Sequence, residues 1–134
     1  MKVEGYQRND ARIVPEWQDL HVGDQILDGP PGTAHYVVRR IEPNRVLVLF
    51  TSTHLPYLVP ARLRDKVSGE LSDAFVLLPL ANNETRVLRR MRVTCSPRPF
   101  RLLAMPVVLV WGELITARRV LRGVKRRAES SVCA

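Results

Sequence analysis

The chain has 134 residues, enough for one hydrophobic core and too few for two, and 46% of them are apolar, which excludes an intrinsically disordered chain. A net charge of +8 invites a nucleic-acid or anionic-membrane reading. Six of the 21 basic residues, however, fall together at Arg118, Arg119, Arg122, Lys125, Arg126 and Arg127, and no aromatic residues surround them for stacking, so nucleic acid is disfavoured as a partner. Cys95 and Cys133 are too few for a disulfide framework, no Cys-x-x-Cys pair offers a zinc site, and this usage suits a reducing cytoplasm. Met1 to Gln18 contains no apolar run of the length that a secretory signal needs.

Taken in chain order, the segment from Pro15 to Asp24 reads as a loop that leads into a short extended piece, Gln25 to Leu27. Asp28-Gly29-Pro30-Pro31-Gly32 places two prolines and two glycines in five residues and marks a turn. Strands are expected over His35 to Glu42 and Arg45 to Thr53, joined at Glu42-Pro43-Asn44, where proline presets φ and asparagine tolerates a left-handed backbone. Val46 to Phe50 is apolar at every position, so both faces of that strand are expected to be covered, one of them by a helix.

The stretch from His54 to Leu71 is interrupted by Pro56 and Pro60 and reads as an insertion or lid, with two helical turns over Ala61 to Val67 that stop at Ser68-Gly69. Ser72 to Leu80 and Glu84 to Cys95 form a second hairpin about Ala81-Asn82-Asn83. In its second strand Val87, Met91, Val93 and Cys95 share one face, interrupted by Arg89, while Arg86, Leu88, Arg90, Arg92 and Thr94 share the other, which is expected to be wet. Ser96-Pro97-Arg98-Pro99 ends the sheet, and a helix is expected from about Pro106 to Ala128. Val110, Leu114, Ala117, Leu121, Val124 and Ala128 recur at spacings of four, three, four, three and four, with Arg119, Arg122 and Arg126 opposite them. That periodicity describes a helix lying on a sheet. Val107 to Trp111, apolar all round, requires cover from several neighbours, a partner or lipid.

Motif-like features read as structure. Gly29-Pro30-Pro31-Gly32-Thr33 starts like a phosphate-binding loop, but Ala34-His35 supplies neither the lysine nor the hydroxyl that phosphate and magnesium need, so a hairpin turn is expected. His21, His35 and His54 lack ligand partners at helical or strand spacing, and no metal or cofactor is expected. Glu16, Asp19, Asp24 and Asp28 read as solvated loop acids, and Trp17 and Trp111 as core residues that could also line a cavity.

Four segments carry a resemblance: Pro15-Glu16-Trp17-Gln18-Asp19-Leu20-His21-Val22-Gly23-Asp24, Ile41-Glu42-Pro43-Asn44-Arg45-Val46-Leu47-Val48-Leu49, Phe75-Val76-Leu77-Leu78-Pro79-Leu80, and Leu121-Arg122-Gly123-Val124-Lys125-Arg126-Arg127-Ala128-Glu129. They are similar to successive parts of bacterial proteins of the START/Bet v 1-like superfamily, the polyketide cyclase/dehydratase-like group, over roughly residues 9 to 129. The resemblance implies an α+β domain of the helix-grip kind, an antiparallel sheet packed on a long C-terminal helix around a cavity for a lipid, polyketide or other apolar molecule. It brings no catalytic motif. The resembling proteins carry a first strand and two short helices ahead of the Pro-Glu-Trp-Gln segment. Here Met1 to Val14 shows no such apolar pattern, so that part is expected to be missing and the strand from Glu84 to Cys95 to have an unpaired edge.

The reading that follows is an apolar-ligand binding module, a single domain over residues 1–134, with Val38, Leu47, Leu49, Phe75, Leu77, Met91, Val110, Trp111 and Leu114 as the cavity-lining positions. A cyclase-like enzyme is the alternative, and it requires a titratable group in the cavity. Leu102 to Ala117, bearing only Glu113 as a charge and followed by the basic cluster, is too short to span a bilayer but suits weak, salt-sensitive contact with anionic lipid. An open edge and an exposed apolar helix start imply a chain that is marginally stable, a homo-oligomer, or completed by another polypeptide.

Overall fold

The computed structural model describes residues 2–3, 15, 18–30, 32–57, 59–98, 106, 110–111 and 113–132. Six strands form one sheet in chain order: β1 (Lys2–Val3), β2 (Gln25–Leu27), β3 (His35–Glu42), β4 (Val46–Thr51), β5 (Ser68–Pro79) and β6 (Thr85–Ser96). From β2 to β6 each neighbouring pair is antiparallel, whereas the two-residue β1 runs parallel to β2. A short helix α1 (His54–Tyr57) and a 3-10 segment (Ala61–Lys66) occupy the β4–β5 connection, and α2 spans Glu113–Val132. The expected α+β arrangement of antiparallel strands with a C-terminal helix is thus present. β1 is an addition, because a two-residue strand is too short to leave a periodic signature.

Turn chemistry sets the hairpins. Asn44 between β3 and β4, and Asn82 and Asn83 between β5 and β6, all have φ near +60° (59°, 63° and 62°), the left-handed conformation that asparagine tolerates. Ahead of β2, Gly23 adopts φ 97°, and the backbone N–H of His21 donates to Asp24 Oδ2 at 2.9 Å. That bond holds the Asp24 carboxyl below its ordinary range, so its support for the turn is kept above that range and lost as the pH falls through the lowered value. In the β2–β3 turn the Thr33 hydroxyl and N–H both donate to the Pro30 carbonyl, at 2.6 and 3.1 Å. The hydroxyl is therefore engaged in closing a hairpin turn.

Cross-strand register sorts the side chains into two faces. Val38 stands opposite Leu49, Leu49 opposite Asp73, and Asp73 opposite Met91; Ile41, Leu47, Phe75 and Arg89 make the next row, and Thr51, Leu71 and Val93 another. This inner face holds the core. Val38 and Leu55 are essentially inaccessible, at 0% and 1% exposure, and Ala34, Val59, Val67 and Leu71 are buried with them. The outer face carries Arg40, Val48, Ala74 and Arg90 in one row and Val37, Phe50, Ser72 and Arg92 in another. A one-residue irregularity in β3 between Val38 and Arg40 frees Arg39, whose guanidinium lies 4.8 Å from the centre of the Phe50 ring.

Three boundaries differ by more than one residue from those read in the sequence. β5 starts at Ser68, four residues before the expected Ser72, because Ser68-Gly69, read as a stop, continues the ladder opposite Cys95 and Ser96. The last residues of the Arg45 to Thr53 segment leave the strand, which ends at Thr51; there the Thr51 and Thr53 side chains bond each other and nearby backbone. α2 runs to Val132 rather than stopping at Ala128, while Pro106, Val110 and Trp111 ahead of it are also helical. Of the expected apolar stripe, Ala117, Leu121 and Val124 are half-buried, whereas Val110, Leu114 and Ala128 are exposed, as are Arg118, Arg119, Arg122, Lys125 and Arg126.

Gly69 is the close approach on which α1 sits. A Cβ there would run into the Thr94 carbonyl oxygen, Leu55 Cδ1 and Cys95 Cα. Because two of those atoms are backbone and the third belongs to the most buried leucine, the obstruction has no cheap escape. Gly69→Ala is expected to lower stability by about 1–3 kcal/mol, read as a fall in the urea midpoint, whereas the same change at Gly32, with open space around it, acts only through its positive φ.

Candidate functional site

Six of the nine sequence-chosen positions, Val38, Leu47, Leu49, Phe75, Leu77 and Met91, lie on strands, and the register places all six on the inner face. Burial grades along that face. At the end covered by α1 and the 3-10 segment, Val38, Thr51, Leu71 and Asp73 are buried; farther along, Leu47, Leu49, Phe75, Leu77 and Met91 are only half-buried. The remaining three positions, Val110, Trp111 and Leu114, belong to the helical segment and are 53%, 68% and 50% exposed. Glu16 and Trp17 lie outside the described residues.

In the middle of the inner face stand two charges. Arg89 donates from Nε to both carboxylate oxygens of Asp73 at 2.9 Å and from Nη2 to Oδ2 at 2.6 Å, and the two side chains are only 8% and 5% exposed. Its guanidinium also lies 5.6 Å from the Phe75 ring centre. A bidentate, charge-assisted pair of this kind offsets much of the cost of removing both ions from water. Arg89 is visible in the sequence as the one interruption of an apolar strand face. Asp73 is its counterpart in β5 and was missed; the signal was a carboxylate in the inward phase, between Leu71 and Phe75.

A second polar network closes the buried end. His54 Nε2 lies 2.9 Å from Asp28 Oδ2 and its Nδ1 lies 2.8 Å from Thr51 Oγ1, which is itself 3.0 Å from Thr53 Oγ1. Thr53 Oγ1 accepts from the His35 N–H at 3.0 Å and donates to the His35 carbonyl at 3.2 Å, and the Tyr36 and His54 rings are 4.3 Å apart. The order Asp28–His54–Thr51 resembles a nucleophile relay, but Thr51 is 2% exposed and its oxygen also accepts from the Thr53 N–H, so no substrate reaches it. The network ties the β2–β3 turn to the start of α1. It gives His54 and Asp28, read as unpartnered in the sequence, a shared structural role, while Asp19 lies 3.7 Å from the exposed His21 ring.

Two concavities of about 460 and 560 Å³ open beside this end. The smaller is bordered by Ser52, Gly69, Glu70 and Cys95, the larger by Gln25, His35, Thr53, Tyr57, Arg64 and Asp65. Neither includes any of the nine chosen positions. Among the described residues, no group of three or more His, Cys, Asp or Glu could hold a metal ion, and no helix is long and apolar enough to cross a membrane. In comparisons with known proteins, no family model, curated protein or solved structure matches the chain.

The energetics of the central pair are testable. Asp73→Leu or Arg89→Met, each leaving one buried charge alone, is expected to cost about 3–5 kcal/mol, whereas the double change Asp73→Leu with Arg89→Met is expected to be near neutral. Urea unfolding of the four proteins measures this. Single losses that simply add in the double variant would show that the two side chains act independently.

Proposed function

We propose that this protein is a binding module for an apolar small molecule, lipid-like or polyketide-like, held on the inner face of the sheet. The observation that carries the reading is the graded cover of that face. Leu47, Leu49, Phe75, Leu77 and Met91 form a contiguous apolar surface that the chain leaves half-accessible, and Trp111 and Leu114 present further uncovered apolar surface. The helix-grip arrangement of the START/Bet v 1-like superfamily is part of the same proposal, supported by the strand order and the C-terminal position of the helix. Asp73 and Arg89, bonded to each other and 5% and 8% exposed, fasten β5 to β6 beneath that face.

A cyclase-like reaction is the second reading, because Asp73 puts a titratable group on the ligand face. Arg89 occupies both of its oxygens and the side chain is only 5% exposed, so it is poorly placed to accept a proton from a ligand. Binding is therefore the better-supported function.

Titration with fatty acids and with flat aromatic polyketide analogues tests it. A ligand at about 100 times its Kd is expected to stabilise the fold by about 2.7 kcal/mol and to change Trp111 fluorescence. Leu77→Lys is expected to abolish both responses. Absence of stabilisation and of any fluorescence change across both ligand classes would contradict the proposal.

A further inference from the structure

The outer face of the β5–β6 hairpin combines two features that the ligand reading leaves unused. Leu78 and Leu88 are 39% and 46% exposed, and Leu80, where the hairpin turns, is 43% exposed. In the ladder Leu78 faces Arg86 and Leu88 faces Val76, so the two leucines are diagonal neighbours on one face. Flanking them on the same side of β6 are Arg86, Arg90 and Arg92, all exposed. No hydrogen bond or ion pair ties these three arginines to another described residue. Across the sheet the same face carries Arg39 and Arg40, with Arg40 held by Glu42. The acids near the hairpin, Glu84 at the turn and Glu70 toward the far end, leave the arginine group between them.

We infer that this face is a contact surface for an anionic lipid bilayer, with Leu78 and Leu88 entering the boundary between headgroups and acyl chains and Arg86, Arg90 and Arg92 meeting lipid phosphate and carboxylate groups. Charge complementarity supplies the sign of the partner, and the exposed leucines among the arginines distinguish a bilayer from a purely polar anion. A single-stranded nucleic acid fits less well, since it needs aromatic platforms, and the Phe50 ring on this face is covered by Arg39. The binding does not depend on an inner-face ligand. It lies on the opposite side of the sheet from Leu77 and Met91.

The test is co-sedimentation of the full chain with phosphatidylcholine vesicles, with and without phosphatidylserine, alongside fluorescence anisotropy with a labelled single-stranded oligonucleotide. The protein is expected to bind only the vesicles that contain phosphatidylserine and to be released by high salt. Replacing Arg86, Arg90 and Arg92 together by Gln is expected to weaken binding about 100-fold, from about 1 kcal/mol per arginine near an anionic surface. Leu88→Asp is expected to weaken it as well, while the Arg→Lys triple variant and the inner-face variant Leu77→Lys bind like the parent. Thermal melts of each variant establish that the fold is kept. Equal binding by parent and Gln variant, vesicle binding that ignores salt, or binding to the oligonucleotide without binding to vesicles overturns the inference.

Discussion

β5 and β6 are held together by an uninterrupted ladder that runs from Ser68 opposite Ser96 to Pro79 opposite Thr85. Because side chains alternate with a period of two, a slip of one residue along this ladder would exchange the two faces of the hairpin. The inner face would then receive Arg86, Arg90 and Arg92, three cations for the single carboxylate of Asp73. In the observed register only Arg89 turns inward, and Asp73 meets it there with two-pronged hydrogen bonding. A buried ion pair is a poor source of net stability, yet unmatched buried charges are severely unfavourable, so slips that exchange the faces are penalised. The inner apolar surface, the arginine-lined outer surface and the seat of α1 on Gly69 all depend on that one alignment.

The β4–β5 connection follows from it. α1 approaches β5 where Gly69 offers no side chain, and Leu55 fills the space so left. The polar chain from Asp28 through His54 to Thr51 and Thr53 then satisfies the hydrogen-bonding groups that this close packing removes from water. Cover is thereby concentrated at one end of the inner face, leaving Leu47, Phe75 and Leu77 at the other end half-accessible. Whatever the ligand, the asymmetry sets where an apolar molecule gains most from leaving water.

Much of this was legible in the residues. Alternation in Val87 to Cys95 marked the faces of β6, the asparagines marked both hairpin turns, and the four-three spacing of Leu114 to Val124 marked α2. Ser68-Gly69 misled, because glycine signals a turn and a close approach with the same letter, and only the crossing of Leu55 tells them apart. Asp73 and the His54 network escaped for a related reason. Their partners are Arg89, sixteen residues away, and Asp28, twenty-six away, distances that local spacing does not resolve. Val110 and Leu114 belong to a periodic apolar stripe and Trp111 is an amphipathic aromatic, features that identify apolar surface but not what lies against it.

The most direct measurement of the central claim is mapping of methyl chemical shifts by NMR as an apolar ligand is added. Shifts are expected to concentrate in Leu47, Leu49, Leu77 and Met91, with Leu78 and Leu88 on the outer face unmoved. Shifts confined to the residues around Gln25, Thr53 and Arg64, or spread evenly over both faces, would contradict it.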